Sequence, residues 1–463
     1  MAKSHVIVTF LGATQTVTGS KYLVRYGENR VLVDAGMFLG ERRWREQNWA
    51  QFPVSPASLS GVVLTHAHLD HVGYLPVLVK HGFTGPVWCT LGTAKLAEIV
   101  LRDAGHLQEN DARDAAERGY SRHHPPLPLF TEQDAERVLP LLHVVDFNDD
   151  FELGDALMAR LVPAGHILGS ASARLWTKDR SGDSVLFSGD LGRHEHPVLA
   201  RREVPEGADA VVIESTYGDR EHPGEDDPTH ERLADAITRT IARDGSVLIP
   251  AFAVDRTEIL LKTLDEMQRE RRIPLVTIFI DSPMGAAALD VYQDPQLARD
   301  LNADLDPHSV RPANLCEVRS VEQSIALNTP ARPCIIISSS GMATGGRVVH
   351  HLQHMLPDPR NCVVFPGYQA VGTRGRRLVD GASEVKMFGR YVPVHAEIIH
   401  DESFSVHADV SDLLDWIGDL KPTPRVVYCT HGEPDAATGL ASRIRDRFGC
   451  VAVVPAFGET VRI

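Results

Sequence analysis

The chain has 463 residues, 43% apolar and 24% charged, with a formal net charge of −15. That length suits roughly two to four domains, and the acidic balance excludes a protein held to nucleic acid by bulk charge alone, although a local basic groove stays open. No apolar run approaches the roughly 18 residues of a membrane span, and the run Val6 to Leu11 is too short for a signal sequence, so a cytoplasmic protein with no membrane partner is expected.

In chain order, short β-rich runs alternate with helical stretches, and six runs end on a ligand-type side chain. Val31-Leu32-Val33 leads to Asp34, and Val62-Val63-Leu64 leads into THAHLDHVG. Leu161-Val162 precedes His166, and Val185-Leu186-Phe187 precedes Asp190. Val211-Val212-Ile213 precedes Glu214, and Val426-Val427-Tyr428 precedes His431. Apolar runs without alternation belong to strands covered on both faces, so their ends should converge on one rim of a sheet.

Residues 94–119 have a helix-like pattern, and the proline-flanked His123 and His124 that follow are expected on the surface. The polar stretch DREHPGEDDPTHER at 219–232 marks a domain boundary. Beyond it, SVLIPAFAVDRTEILL, PLVTIFIDSPMGAAAL and PCIIISSSGMATGGRVVHHL each read as strand, loop and helix, predicting an open parallel α/β domain to about residue 395. The six cysteines form no C-x-x-C pair and are expected to be isolated buried thiols, so a metal would rest on histidine and carboxylate.

His66 and His68 are two apart at a strand end, where i and i+2 point the same way, so both can grip one ion. Asp70 and His71 fall at the start of the next helix and point towards a second. His166 completes the first set and His431 the second, with Asp190 bridging both through its two oxygens. Asp34 orients a ligand by hydrogen bond from behind. Histidine and carboxylate donors of this kind suit Zn²⁺, with Mn²⁺ as the alternative.

THAHLDHVG, His166, the SGD ending in Asp190, and THGE at 430–433 resemble the metallo-β-lactamase fold superfamily. ESTYGDR at 214–220, FSVHAD at 404–409 and the same THGE resemble motifs A, B and C of its β-CASP branch of nucleic-acid-processing hydrolases. The resemblance implies an α/β fold: an αββα sandwich from 1–217 and 396–463, with a β-CASP domain inserted over 218–395. Histidine at motif C implies an RNA substrate, as in the cleavage and polyadenylation endonuclease and its bacterial single-chain relatives. It also implies two zinc ions and products with 5′-phosphate and 3′-hydroxyl ends.

On that reading Asp70, His407 and Glu214 are catalytic, with His407 the acid that protonates the leaving oxygen and Glu214 holding its imidazole. The run 370–390 carries five basic residues against two acidic ones. Arg374 and Arg376, with Ser338, Ser339, Ser340 and Gly341 before a helix start, are candidate phosphate contacts. His350 and His354 share one helical face and are expected to lie on the surface or face RNA. The alternatives are a hydrolase of a small ester or thioester, which would not need His407 or the insertion, and a non-catalytic RNA-binding subunit. Monomer and homodimer both remain open.

Overall fold

The computed structural model describes residues 5–118, 125–179, 183–222, 230–306 and 309–463; His123 and His124 lie outside them. Two compact units emerge, Met1–Glu221 with His407–Ile463, and His222–Val406.

The first unit holds two seven-stranded sheets. One runs in the order Thr460–Arg462, Ile7–Phe10, Tyr22–Tyr26, Asn29–Val33, Gly61–Val63, Val87–Cys89, Leu142–Val144. The other runs Val451–Val453, Val426–Cys429, Ala210–Ile213, Ser184–Phe187, Ala171–Thr177, Leu157–Pro163, Asp150–Leu153. Between them Phe10, Val33 and Val63 of the first meet Leu161, Phe187 and Val212 of the second. On the outer face of the second sheet, Leu186, Val211 and Ile213 take Leu413, Trp416 and Ile417 of helix Val410–Asp419 and Leu440 and Ile444 of helix Pro434–Phe448. Neighbouring residues in a strand thus face opposite covers, Val212 inward and Val211 outward, which is why these strands are apolar throughout. Truncating Phe187 would remove about 3–5 kcal/mol of stability.

Strand direction then places the chemistry. Asn29–Val33 and Gly61–Val63 are parallel neighbours. Ser184–Phe187, Ala210–Ile213 and Val426–Cys429 are parallel to one another. Leu157–Pro163 shares their direction, because both it and Ser184–Phe187 are antiparallel to Ala171–Thr177. The C-terminal ends of these four strands therefore open on one edge of the sheet.

The second unit holds a six-stranded sheet, parallel throughout, in the order Leu315–Glu317, Ile278–Asp281, Ile335–Ser338, Val247–Pro250, Cys362–Pro366, Glu397–Asp401, and a two-stranded antiparallel ribbon of Glu384–Met387 and Arg390–Pro393. The boundary differs from the one expected at 395/396. Glu397–Asp401 pairs with Cys362–Pro366 over five residues and extends this sheet, so the chain returns to the first unit only at His407. Residues 223–229, the centre of the expected earlier boundary, lie outside the described residues.

Candidate metal centre and acid–base pair

All six apolar runs are strands, and the polar residues after them gather in the first unit. His66 and His68 leave strand Gly61–Val63 in extended chain, and helix Leu69–Val72 begins immediately after, turning Asp70 and His71 another way. His66 Nε2 lies 3.1 Å from His68 Nδ1, and His166 Nε2 lies 3.2 Å from the same atom. Asp190 Oδ2 is 3.6 Å from His66 Nε2 and 3.7 Å from His166 Nε2. Beside this group His71 Nε2 and His431 Nε2 stand 3.3 Å apart, with Asp70 Oδ2 3.4 Å from His431 Nε2. Asp190 Oδ1 is 3.4 Å from His71 Nε2, so its two oxygens serve both groups.

These spacings test whether the residues fit a metal. Zinc–nitrogen bonds of 2.0–2.1 Å in a tetrahedron put neighbouring donors about 3.3–3.4 Å apart. The donors sit at such separations with their acceptor atoms turned towards each other. Asp190 is 2% exposed, and its Oδ1 accepts no hydrogen bond. A buried carboxylate oxygen facing imidazole nitrogens is costly unless a cation joins them. The donor set fits: His66, His68, His166 and Asp190 form one group able to hold an ion, and Asp70, His71 and His431 another.

The electrostatics of the two groups differ. Burial drives His66, His68 and His166 towards the neutral form in which imidazole binds metal, His68 down to about 4. Burial acts the same way on His71 and His431, but the carboxylates outweigh it and raise both: Asp190 and Asp34 at His71, Asp190 and Asp70 at His431. Asp70 and Asp190 are held low against burial by the facing histidines. Without metal the second group is thus charge-compensated by protons, which an arriving cation displaces.

Asp34 stands behind the centre. Its Oδ2 accepts from His71 Nδ1 at 2.7 Å and its Oδ1 from the Thr65 amide at 2.8 Å. Asp34 and His431 both have positive φ, 55° and 49°, a conformation costing of order 1–3 kcal/mol for such residues. The amide bonds of Asp34 to Val63 O and of His431 to Ala13 O hold them there.

Glu214 is 1% exposed and lies beside His407, with His407 Nδ1 3.2 Å from Glu214 Oε2. The other carboxylate oxygen accepts from the Leu191 amide at 2.7 Å. The His407 ring lies 4.4 Å from that of His166, centroid to centroid. An imidazole braced by a buried carboxylate thus sits next to the first ligand group.

Over residues 16–251 the chain matches the metallo-beta-lactamase superfamily. Residues 257–378 match the Beta-Casp domain, and 391–455 the Zn-dependent metallo-hydrolase RNA specificity domain. The chain belongs to the metallo-beta-lactamase superfamily, in its β-CASP branch. It is 38% identical over 463 residues to Ribonuclease TTHA0252 of Thermus thermophilus, covering 99% of this chain and 100% of that protein. It is 30% identical over 482 residues to Transcription termination factor FttA of Pyrococcus horikoshii, covering 98% of this chain and 71% of the relative. A crystal structure of a protein of unknown function from Enterococcus faecalis V583 superposes with a TM-score of 0.55 at 14% identity, covering 99% of this chain and all of that one, a likeness of fold alone.

Several expected RNA contacts are used up within the β-CASP unit. Ser338 is fully buried and donates to Asp281 O at 2.9 Å. Gly341 is buried against the Phe252 backbone, where a Cβ would come within 2.9 Å of an amide nitrogen. Arg374 donates to the carbonyls of Ala343, Thr344 and Lys386, so it braces the glycine-rich loop from within. Arg376 forms an exposed ion pair with Asp380 at 3.0 Å. Ser339 and Ser340 remain half-exposed on the loop. His350 stacks on Phe388, and the buried histidine of that helix is its neighbour His351. The cysteines are all free, but Cys316 is exposed and Cys450 half-buried rather than buried.

Sequence reasoning also passed over Thr65 and Thr216, whose hydroxyls lie 3.1 Å from His66 Nδ1 and 3.2 Å from His431 Nδ1. Both lie inside motifs singled out for other residues. The signal was a hydroxyl adjoining or two residues from a ligand-type side chain at a strand end.

Proposed function

We propose that the protein is a zinc-dependent ribonuclease that hydrolyses RNA phosphodiester bonds at the centre formed by His66, His68, Asp70, His71, His166, Asp190 and His431. The observation carrying this reading is the juxtaposition of donors that face one another with a buried carboxylate–histidine pair. A metal site alone would serve many hydrolases of this superfamily. His407 and Glu214 add an acid for a poor leaving group such as a ribose 3′-oxygen. The region matching the RNA specificity domain contains both His407 and His431, and a full-length relative bears the name ribonuclease.

Two zinc ions bound there would supply an acidified water near neutral pH and Lewis-acid polarisation of a phosphoryl oxygen. The chain's own groups do the rest. Asp70 takes up the hydrogen bond of the attacking water. Glu214, fixed by the Leu191 amide, faces His407 Nδ1 and orients the ring. As the water oxygen joins phosphorus its proton passes by way of Asp70 to solvent, the P–O3′ bond breaks, and His407 gives its proton to the departing 3′-oxygen. The nucleophile is water, so no 2′-hydroxyl takes part, and the ends are 5′-phosphate and 3′-hydroxyl. Ser339 donates to Ser282 Oγ at 3.0 Å, which leaves Ser340, half-exposed on the glycine-rich loop, as the serine for a backbone phosphate. No helix among the described residues is long and apolar enough to cross a membrane, and we place the enzyme in the cytoplasm.

The test is incubation of zinc-loaded protein with 5′-labelled and internally labelled RNA, with and without chelator. Chelator-sensitive cleavage leaving 5′-phosphate ends supports the reading. Intact RNA alongside turnover of a thioester or lactone overturns it. Mononucleotides from the 5′ label would mark exonuclease action, and discrete fragments endonuclease action.

A further inference from the structure

A histidine binds metal through one ring nitrogen, and the hydrogen bond made by the other decides which nitrogen that is. For His71 the partner is the Asp34 carboxylate, which can only accept. For His431 and His66 the nearest partner is a threonine hydroxyl, which can donate or accept, so the direction must be found from where its single hydrogen goes; at His431 Nδ1 the Asp190 Oδ1 acceptor also lies 3.5 Å away.

Thr216 Oγ1 donates to the backbone carbonyl of His431, 3.2 Å away. A carbonyl oxygen only accepts, so that hydrogen is spent. Towards His431 Nδ1, also 3.2 Å away, the hydroxyl has only lone pairs to offer. Nδ1 therefore carries the proton, and Nε2 is the atom left facing His71 and Asp70. The same count holds for Thr65. Its hydroxyl donates to Asp34 Oδ2 at 2.8 Å, so it accepts from His66 Nδ1 at 3.1 Å and leaves His66 Nε2 towards His68 and Asp190. Thr65, Thr216, His66, His431 and Asp34 are all buried, so water does not compete for the bonds of the two hydroxyls.

We propose that Thr216 and Thr65 are positioning residues that fix the Nδ1–H tautomers of His431 and His66, one in each ligand group. This rests on the metal reading given above. It adds that each half of the centre depends on a neutral hydroxyl whose hydrogen is anchored elsewhere. Asp34, anchoring both His71 and Thr65, links the two halves.

Thr216→Val keeps the shape and removes the acceptor, while Thr216→Ser keeps the hydroxyl. Zinc affinity is measured by competition with a chromophoric chelator, alongside thermal melting. The expected result for Thr216→Val is a loss of about 10–100-fold in affinity for one zinc equivalent with the other unchanged, and near-complete recovery in Thr216→Ser. Wild-type affinity for both equivalents in Thr216→Val overturns the proposal, as does an equal loss in Thr216→Ser, which would assign the effect to the methyl group. A second measurement is independent of metal binding and of the variants' folding. Long-range ¹H–¹⁵N correlation of histidine-labelled, metal-free wild-type protein at alkaline pH should show His431 and His66 protonated at Nδ1. Protonation at Nε2 of either overturns the assignment even if the protein proves not to be a zinc enzyme.

Discussion

Each unit buries a histidine–aspartate cluster, and the two are built on opposite principles. In the β-CASP unit Asp281 is fully buried and accepts from Arg347 Nη1 at 2.6 Å, Ser324 Oγ at 2.5 Å and His351 Nε2 at 2.6 Å. Every partner there is a donor, and the carboxylate is satisfied by protein alone. In the metallo unit the ring nitrogens of His66 and His166 crowd to 3.1 and 3.2 Å from His68 Nδ1, those of His71 and His431 to 3.3 Å from each other, and Asp190 Oδ1 accepts nothing. Burial and residue type are alike; the direction of the hydrogen bonds separates a structural network from a site that needs a guest.

The sharpest way to break this contrast is to neutralise each aspartate in turn. Asp190→Asn should lose bound zinc, as read by elemental analysis, and RNA cleavage should fall by about 10⁴-fold or more, because several kcal/mol of transition-state stabilisation depend on the metal. Retention of wild-type zinc would show that Asp190 is no ligand. His407→Ala should keep its zinc and lose about 10²–10⁴-fold in cleavage rate, the range of a general acid. An unchanged rate would remove His407 from the chemistry.

Asp281→Asn should leave zinc content unchanged and lower stability by about 3–5 kcal/mol in denaturant melts at neutral pH, the usual result of breaking a buried charged pair. Burial would raise the Asp281 carboxyl, but His351, Ser324 and Arg347 outweigh it and hold it below its ordinary value. A depressed folded value means the contribution is complete above the unfolded value of about 3.9 and is lost as pH falls through the folded one. The gap between wild type and Asp281→Asn should therefore close in acid melts, and a gap that widened would contradict this balance of effects. Arg376→Ala, breaking only an exposed pair with Asp380, should shift stability by less than about 1 kcal/mol. A large loss of RNA affinity in that variant would return Arg376 to the list of RNA contacts.

The metal donors were legible because strand ends impose simple geometry. Residues two apart point together, a helix start turns the next pair away, and apolar runs announce strands whose ends converge. The Asp281 network was not legible for the opposite reason. His350 and His354 share a face at helical spacing, yet the buried histidine of that helix is His351, between them in sequence and rotated by about 100° from His350 into the core. The return of the chain to the first compact unit at His407 is not marked in the sequence, because the pairing of Glu397–Asp401 with Cys362–Pro366 is a non-local fact that composition does not encode. Arg374 was read as part of a charge run, but a run records charge and not where donors are spent; three of its bonds go to backbone carbonyls. Hydrogen-bond direction, on which the roles of Thr65 and Thr216 depend, is likewise invisible until partners are known.

The claim on which the rest depends is that the clustered histidines and carboxylates of the metallo unit hold metal for RNA hydrolysis. Elemental analysis of purified wild-type protein before and after dialysis against chelator, with RNA cleavage assayed on the same samples, tests it directly. The account predicts two zinc equivalents per chain, loss of cleavage as they are removed, and its return when zinc is restored. Full cleavage by protein stripped of metal would contradict it.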